Sequence, residues 1–258
     1  QMALRGETMS GHGLIEVTDV KKEFTLNASG VASIKTALLW WRKRNAKKLN
    51  VLKGISFQVH PGECVAVVGK NGAGKSTLLS LLARVYKPTS GSIEIRGRMA
   101  PLLELGAGFH PDLTGLENIY FNGVILGLTR EEMRARTDKI IEFSEIGDHI
   151  NAPTRTYSSG MLARLGFSVA VHIDADILLV DEVLAVGDYE FERKCYAKID
   201  EFRANGGTIL FVSHQMDAVR KVADRCIWLK DGQIHRVGPP DFIIAEYEGR
   251  DLDLEEGR

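Results

Sequence analysis

The sequence predicts an α/β fold, a buried sheet packed between helices, with a helical lobe inserted into it. Three observations carry that prediction. Two continuous apolar runs, Cys64–Val68 and Ile177–Val180, have the character of strands buried on both faces. From Ile177 to Ala223 strand and helix patterns alternate. Between them, Thr114 with Glu117 and Thr129 with Glu132 have capping-box spacing in a stretch that carries helical patterns.

Taken in order, the first strand is expected over Leu14–Val17 and the second over Val51–His60. In the second, Ile55, Phe57 and Val59 point inward against Ser56, Gln58 and His60. Pro61-Gly62 makes a turn into the Cys64–Val68 strand. Ser76–Arg84, with Leu78, Leu79, Leu81 and Leu82, reads as a core helix. Helices are expected over Leu116–Leu126, Arg130–Ile146 and about Ser159–His172. Then come strand Ile177–Val180, helix Phe191–Arg203, strand Thr208–Val212 and helix Met216–Ala223. Asp231-Gly232 separates Cys226–Lys230 from Gln233–Val237 as a hairpin turn, and a short helix lies near Ile243–Tyr247.

The 258 residues suffice for one sizeable domain or two small ones. A content of 44% hydrophobic and 26% charged residues is that of a soluble globular protein, and a net charge of −1 gives no footprint for nucleic acid. Cys64, Cys195 and Cys226 form no metal-ligand spacing and are expected as free thiols. No run approaches the about 18–20 apolar residues of a membrane span. The opening QMALRGETMSGHG lacks the apolar centre of a signal peptide and reads as a disordered lead or an expression scar.

Gly69-Lys70-Asn71-Gly72-Ala73-Gly74-Lys75-Ser76 satisfies G-x-x-x-x-G-K-S/T, after a buried strand and at the start of a helix. Such glycines let backbone N–H groups turn toward phosphate oxygens, and the helix start adds partial positive charge. Lys75 is the point charge for the outer phosphates and Ser76 the expected Mg²⁺ ligand. The strand 177–180 delivers two carboxylates: Asp181 to hold Mg²⁺ through water, and Glu182 to orient and deprotonate an attacking water. His214, after the strand Thr208–Val212, is placed to reach the γ-phosphate.

Over Leu14–Tyr247 these pieces resemble the ABC ATPase family, whose fold is a P-loop core with an inserted helical subdomain and an N-terminal antiparallel β portion. Tyr157-Ser158-Ser159-Gly160-Met161 resembles that family's LSGGQ signature, with Tyr for Leu, Ser159 for Gly and Met161 for Gln. The resemblance implies that Ser158, Ser159, Gly160 and Met161 complete the ATP site of a second chain in a head-to-tail homodimer. It also implies nucleotide contacts by Phe24, stacking on adenine, and by Gly69, Lys70, Asn71, Gly72, Ala73, Gly74, Lys75, Ser76 and Thr77. Asp188 falls at the aspartate of the D-loop. Where the family has a Mg²⁺-touching glutamine, the stretch Leu102–Gly106 has none, and Glu104 takes that place.

The segment Leu103–Ile119 and the stretch Val183–Asp188 are similar to those of ATPases that export O-antigen, teichoic acid and related glycans (the Wzt/TagH-like group). The resemblance implies ATP and Mg²⁺ as cofactors, a separate membrane permease as partner, and a peripheral position on the cytoplasmic face of the inner membrane. With the chain ending at Arg258, no extra carbohydrate-binding domain is expected in it. The expected division is a core of 14–105 and 157–247, a helical subdomain of about 106–156, and a tail of 248–258. DNA-repair and translation ATPases of the same family carry coiled coils or two cassettes, which this sequence lacks. An iron–sulfur assembly ATPase would not be expected to carry the 104–119 segment.

An insertion over 31–48 places Ile34, Ala37, Leu38 and Trp41 on one helical stripe, flanked by Trp40 and followed by Arg42, Lys43, Arg44, Lys47 and Lys48. Two readings stand: contact with a membrane surface through tryptophan and basic residues, or packing on the protein's own surface.

Overall fold

The computed structural model describes residues 12–26, 47–103, 106, 108–181 and 188–249. Two sheets organise it. Strands β1 (Leu14–Leu26) and β2 (Lys47–Val59) pair antiparallel, and β1 pairs antiparallel on its other side with β4 (Ser90–Arg96). The larger sheet holds β3 (Cys64–Val68), β5 (Met99–Leu102), β6 (Ile177–Val180), β7 (Thr208–Val212), β8 (Arg225–Lys230) and β9 (Gln233–Gly238), in the order β5-β6-β7-β3-β8-β9. All its pairings are parallel except the β8–β9 hairpin.

Among the described residues seven α-helices accompany them: α1 (Lys75–Leu82), α2 (Gly115–Ile125), α3 (Arg130–Ser144), α4 (Ser159–Val171), α5 (Tyr189–Ala204), α6 (Met216–Val222) and α7 (Pro240–Glu248).

Alternation along β3 divides the core. Val65 and Val67 join Ile15, Ile55, Leu78 and Leu82 on the face covered by the small sheet and α1. Cys64, Ala66 and Val68 join Phe167, Phe191 and Ile243 on the face covered by α4, α5 and α7. Every residue of β3, β6 and β7 is buried, as continuous apolar strands of a covered parallel sheet should be. All three cysteines are free and buried, and burial pushes each thiol up to about 12.

A third cluster, with Ile119, Met133, Ile140, Tyr157, Leu165 and Val169, is the core of the helical lobe. Helix α4 is shared: Leu165 and Val169 face the lobe, while Phe167 and Ala170 face the sheet. Both capping boxes form. Thr114 and Thr129 accept from the backbone N–H of Glu117 and Glu132, whose carboxylates accept in return. Asn118, fully buried, braces the entry to α2: it donates to the carbonyls of His110, Leu113 and Thr114, and accepts from the His110 N–H at 2.7 Å.

Three expectations need correction. The first strand runs nine residues past Val17, through a bulge where Asp19 takes a left-handed φ of 44° and the register shifts. The second begins at Lys47, so Lys47 and Lys48 of the expected insertion are ladder residues opposite Leu26 and Thr25, and Lys48 pairs with Glu23 at 3.1 Å. The remainder of that segment, with both tryptophans, lies outside the described residues. Strands β4 and β5 were not expected: β4 buries no residue fully, and β5 is four residues with Pro101 on the sheet edge, the one place a ladder tolerates proline.

Candidate functional site

The parallel strands deliver their carboxyl ends to one edge of the larger sheet. Val67 is level with Val212, and Val180 with Phe211, so the loops after β3, β6 and β7 open side by side. The loop after β3 is the Gly69–Ser76 motif. Gly69 has φ 154° and a Cβ there would lie 2.2 Å from the Leu229 carbonyl oxygen; Gly74 has φ 106° and a Cβ there would lie 2.8 Å from Leu52. Neither position admits a side chain, which is how the loop turns so tightly between β8 and β2. It is pinned from outside as well, by the Gly232 N–H donating to the Ala73 carbonyl at 3.2 Å.

Lys75 is 6% exposed, and its ammonium donates to the loop's own carbonyls, Gly69 at 2.7 Å and Lys70 at 3.2 Å. A buried ammonium among backbone dipoles is suited to a multiply charged anion. No side chain caps α1, so its first N–H groups remain for such an anion. Lys70, Asn71, Gly72 and Ser76 are exposed on the loop and Thr77 is half-buried behind them.

Asp181 leaves β6 half-buried, its N–H directed at the Leu102 carbonyl at 3.4 Å. His214, two residues beyond Val212, is exposed. The structure thus brings the Gly69–Ser76 loop, Asp181 and His214 to one sheet edge. Glu182 and Glu104 lie outside the described residues.

Phe24 belongs to β1 rather than to the loop after it. It meets Tyr86 edge-on at 5.4 Å between centroids, with the Lys22 ammonium 4.9 Å from its ring. Lys22 pairs across the ladder with Leu52, the residue against which Gly74 is packed. The ring therefore sits on the strand pair that abuts the phosphate loop.

Ser158–Met161 stands at the start of α4, the helix shared between lobe and core. Tyr157 is buried and donates its hydroxyl to the His149 carbonyl at 2.6 Å. Ser158 is the N-cap of α4, its Oγ accepting from the Met161 N–H at 3.2 Å. Ser158 and Ser159 are exposed, and a Cβ on Gly160 would meet nothing nearer than Ser158 Oγ at 3.8 Å. Met161 instead packs its side chain partly against the lobe core.

Asp188 caps α5, accepting from the Phe191 N–H at 3.0 Å and from Arg164 Nη2 at 2.7 Å. The Phe191 backbone bond, and the Arg164 charge beside it, hold its carboxyl below the usual aspartate range. Sequence reasoning missed Arg164 and Asn118. Arg164 has partners 19 and 24 residues away, so nothing local announces it.

A parallel sheet whose carboxyl edge holds a glycine-walled loop, a buried lysine and a strand-end aspartate defines a P-loop nucleotide-binding domain, and the lobe with its serine-capped helix makes it an ATP-binding cassette. The ABC transporter family model matches residues 52–185. The chain is 49% identical over 242 residues to an O-antigen export system ATP-binding protein of Klebsiella pneumoniae, covering 92% of this chain and 98% of that one. It is 47% identical over 240 residues to the protein of the same description from Myxococcus xanthus; that match covers 90% of this chain but only 55% of the longer relative. A solved dimeric ATP-binding cassette in a post-hydrolysis state with ADP and Pi shares the fold at a TM-score of 0.69 and 22% identity, covering 88% of this chain and 98% of that one. The chain belongs to the ABC transporter family and is an ATP-binding, ATP-hydrolysing subunit of it.

Proposed function

We propose that this subunit powers the export of a lipid-linked polysaccharide through a separate membrane permease, as a homodimer that closes on two Mg·ATP. The observation that carries the substrate class is the near-full-length likeness to an O-antigen export ATP-binding protein. In support of a permease partner, α2 carries an apolar stripe at Phe121, Val124 and Ile125, exposed by 43%, 60% and 61%. No helix among the described residues is long and apolar enough to cross a membrane. In the proposed arrangement the permease supplies the path, and this chain lies against it on the cytoplasmic face.

Within the site, the Gly69–Thr77 backbone and Lys75 bind the phosphates, and Phe24 stacks on the adenine. Ser76 and Asp181 are hard oxygen donors, and the described residues hold no larger His, Cys, Asp or Glu cluster. That sparse set suits Mg²⁺, which takes one or two protein oxygens together with substrate phosphates and waters; Glu104 is a further donor to it. Mg²⁺ held by these residues would neutralise charge on the phosphates. Glu182 orients and deprotonates the attacking water, and His214 holds the γ-phosphate.

The exposed N-terminus of α4, Ser158–Met161, supplies serine and backbone donors to the γ-phosphate bound by the other chain. Hydrolysis removes the group that bridges the chains, and they part. The lobe, about 106–156, carries the motion to the permease through its exposed stripe on α2.

Reconstitution with the neighbouring permease in lipid tests this reading. Permease-stimulated turnover in wild type, lost in Phe121→Asp/Val124→Asp while basal hydrolysis persists, is the expected result. Turnover that ignores the permease would refute the exporter assignment.

A further inference from the structure

Arg164, on α4, lies six positions after Ser158, and three elements meet at its guanidinium. Nη1 donates to Glu145 Oε2 at 3.0 Å, Glu145 being the left-handed residue that closes α3. Nη2 donates to Asp188 Oδ2 at 2.7 Å, at the cap of α5. The guanidinium carbon lies 4.7 Å from the ring centroid of Phe191, which is fully buried. Only 18% of the side chain is exposed. Lys194 of α5 also pairs with Glu145, so the end of α3 is held from both α4 and α5. A planar fork with separate donors can hold two carboxylates on different elements while stacking on an aromatic face; an ammonium cannot.

We infer that Arg164 is a positioning residue for hydrolysis, registering the Ser158-capped helix and the end of α3 against Asp188 at the cap of α5. The inference rests on the roles proposed above for Glu182 and Ser158. Glu182 precedes Asp188 by six residues. Asp188 is fixed by Arg164, and Asp181, on the other side of Glu182, is directed at the Leu102 carbonyl. A shift of α4 as its N-terminus meets phosphate is therefore felt at Asp188 through one rigid fork. Arg164 spends its guanidinium on Glu145, Asp188 and Phe191, none of them a residue of the phosphate loop, so its loss changes how fast bound ATP is hydrolysed and not how tightly that loop holds it.

The test compares Arg164→Ala, Arg164→Lys, Asp188→Asn and the double variant Arg164→Ala/Asp188→Asn in the full chain with its permease. The expected result is a kcat about tenfold lower in Arg164→Ala, a smaller loss in Arg164→Lys, and a Kd for a fluorescent ATP analogue within about twofold of wild type. The double variant loses no more than the worse single one, because both break one link. Unchanged kcat in both Arg164 variants, beside an active wild type, overturns the inference alone. So do losses that multiply in the double variant, or a fall in kcat matched by an equal fall in folded, nucleotide-binding protein. A wild type that binds ATP without hydrolysing it overturns the proposed catalytic roles, and the inference with them.

Discussion

In the α/β core the groups aimed at phosphate are backbone N–H groups and one buried lysine, held by strands with no exposed residue. The corresponding groups beside the lobe stand at the exposed start of α4, the helix shared between lobe and core, where Ser158 caps the Met161 N–H. The core adds a six-stranded ladder to its packing; the lobe has a smaller apolar core of its own and closes its helix starts with side-chain caps. That division suits the proposed cycle, in which the phosphate loop of one chain meets the α4 start of another.

The largest break between the two regions is expected from Lys75→Ala. It takes the ammonium donor from the Gly69 carbonyl, leaves the Lys70 carbonyl with the Ala73 N–H, and removes a buried charge from the loop. ATP affinity falls about a hundredfold or more by calorimetry, the range for truncating a buried charge partner.

Gly160→Asp should separate the regions cleanly. The added Cβ meets nothing nearer than 3.8 Å, so the chain folds and binds ATP as before. In the proposed dimer the carboxylate meets the other chain's phosphate, and turnover is expected to drop about a hundredfold or more at an unchanged melting temperature.

Smaller effects probe the lobe alone. Thr114→Ala or Thr129→Ala removes a cap and costs about 1 kcal/mol, read as faster amide exchange in α2 or α3 with β3 and β7 unaffected.

Smallest is an acid effect. Bonds from Thr114 and Thr129 hold the carboxyls of Glu117 and Glu132 below the usual glutamate range. A lowered folded pKa contributes stability above the unfolded value of 4.5, lost as the pH falls through the lowered one. The melting difference between wild type and Glu117→Ala should therefore persist from pH 7 to 4.5 and close below that.

What could be read from the sequence follows the same division. Continuous apolar runs and cap spacing are local signals, so β3, β6, β7 and both capping boxes stand where they were expected. The far half of β1 was hidden because its polar Lys21-Lys22-Glu23 run follows a bulge at Asp19 and is held by pairing rather than burial. Strand β5, four residues with a proline, has too little pattern to announce itself. At the site, the phosphate loop and Asp181 were legible because a strand-to-loop motif places them. The partial packing of Met161 into the lobe was not, nor was Arg164 with its partners on two other elements.

The central claim is that each ATP is held between the cradle of one chain and the α4 N-terminus of another. The most direct test is the mass in solution of Glu182→Gln with saturating Mg·ATP, by light scattering. The account predicts a stable dimer that reverts to monomer in Gly160→Asp/Glu182→Gln. A monomer with ATP bound in Glu182→Gln, or a dimer unaffected by the added Gly160→Asp change, would contradict it.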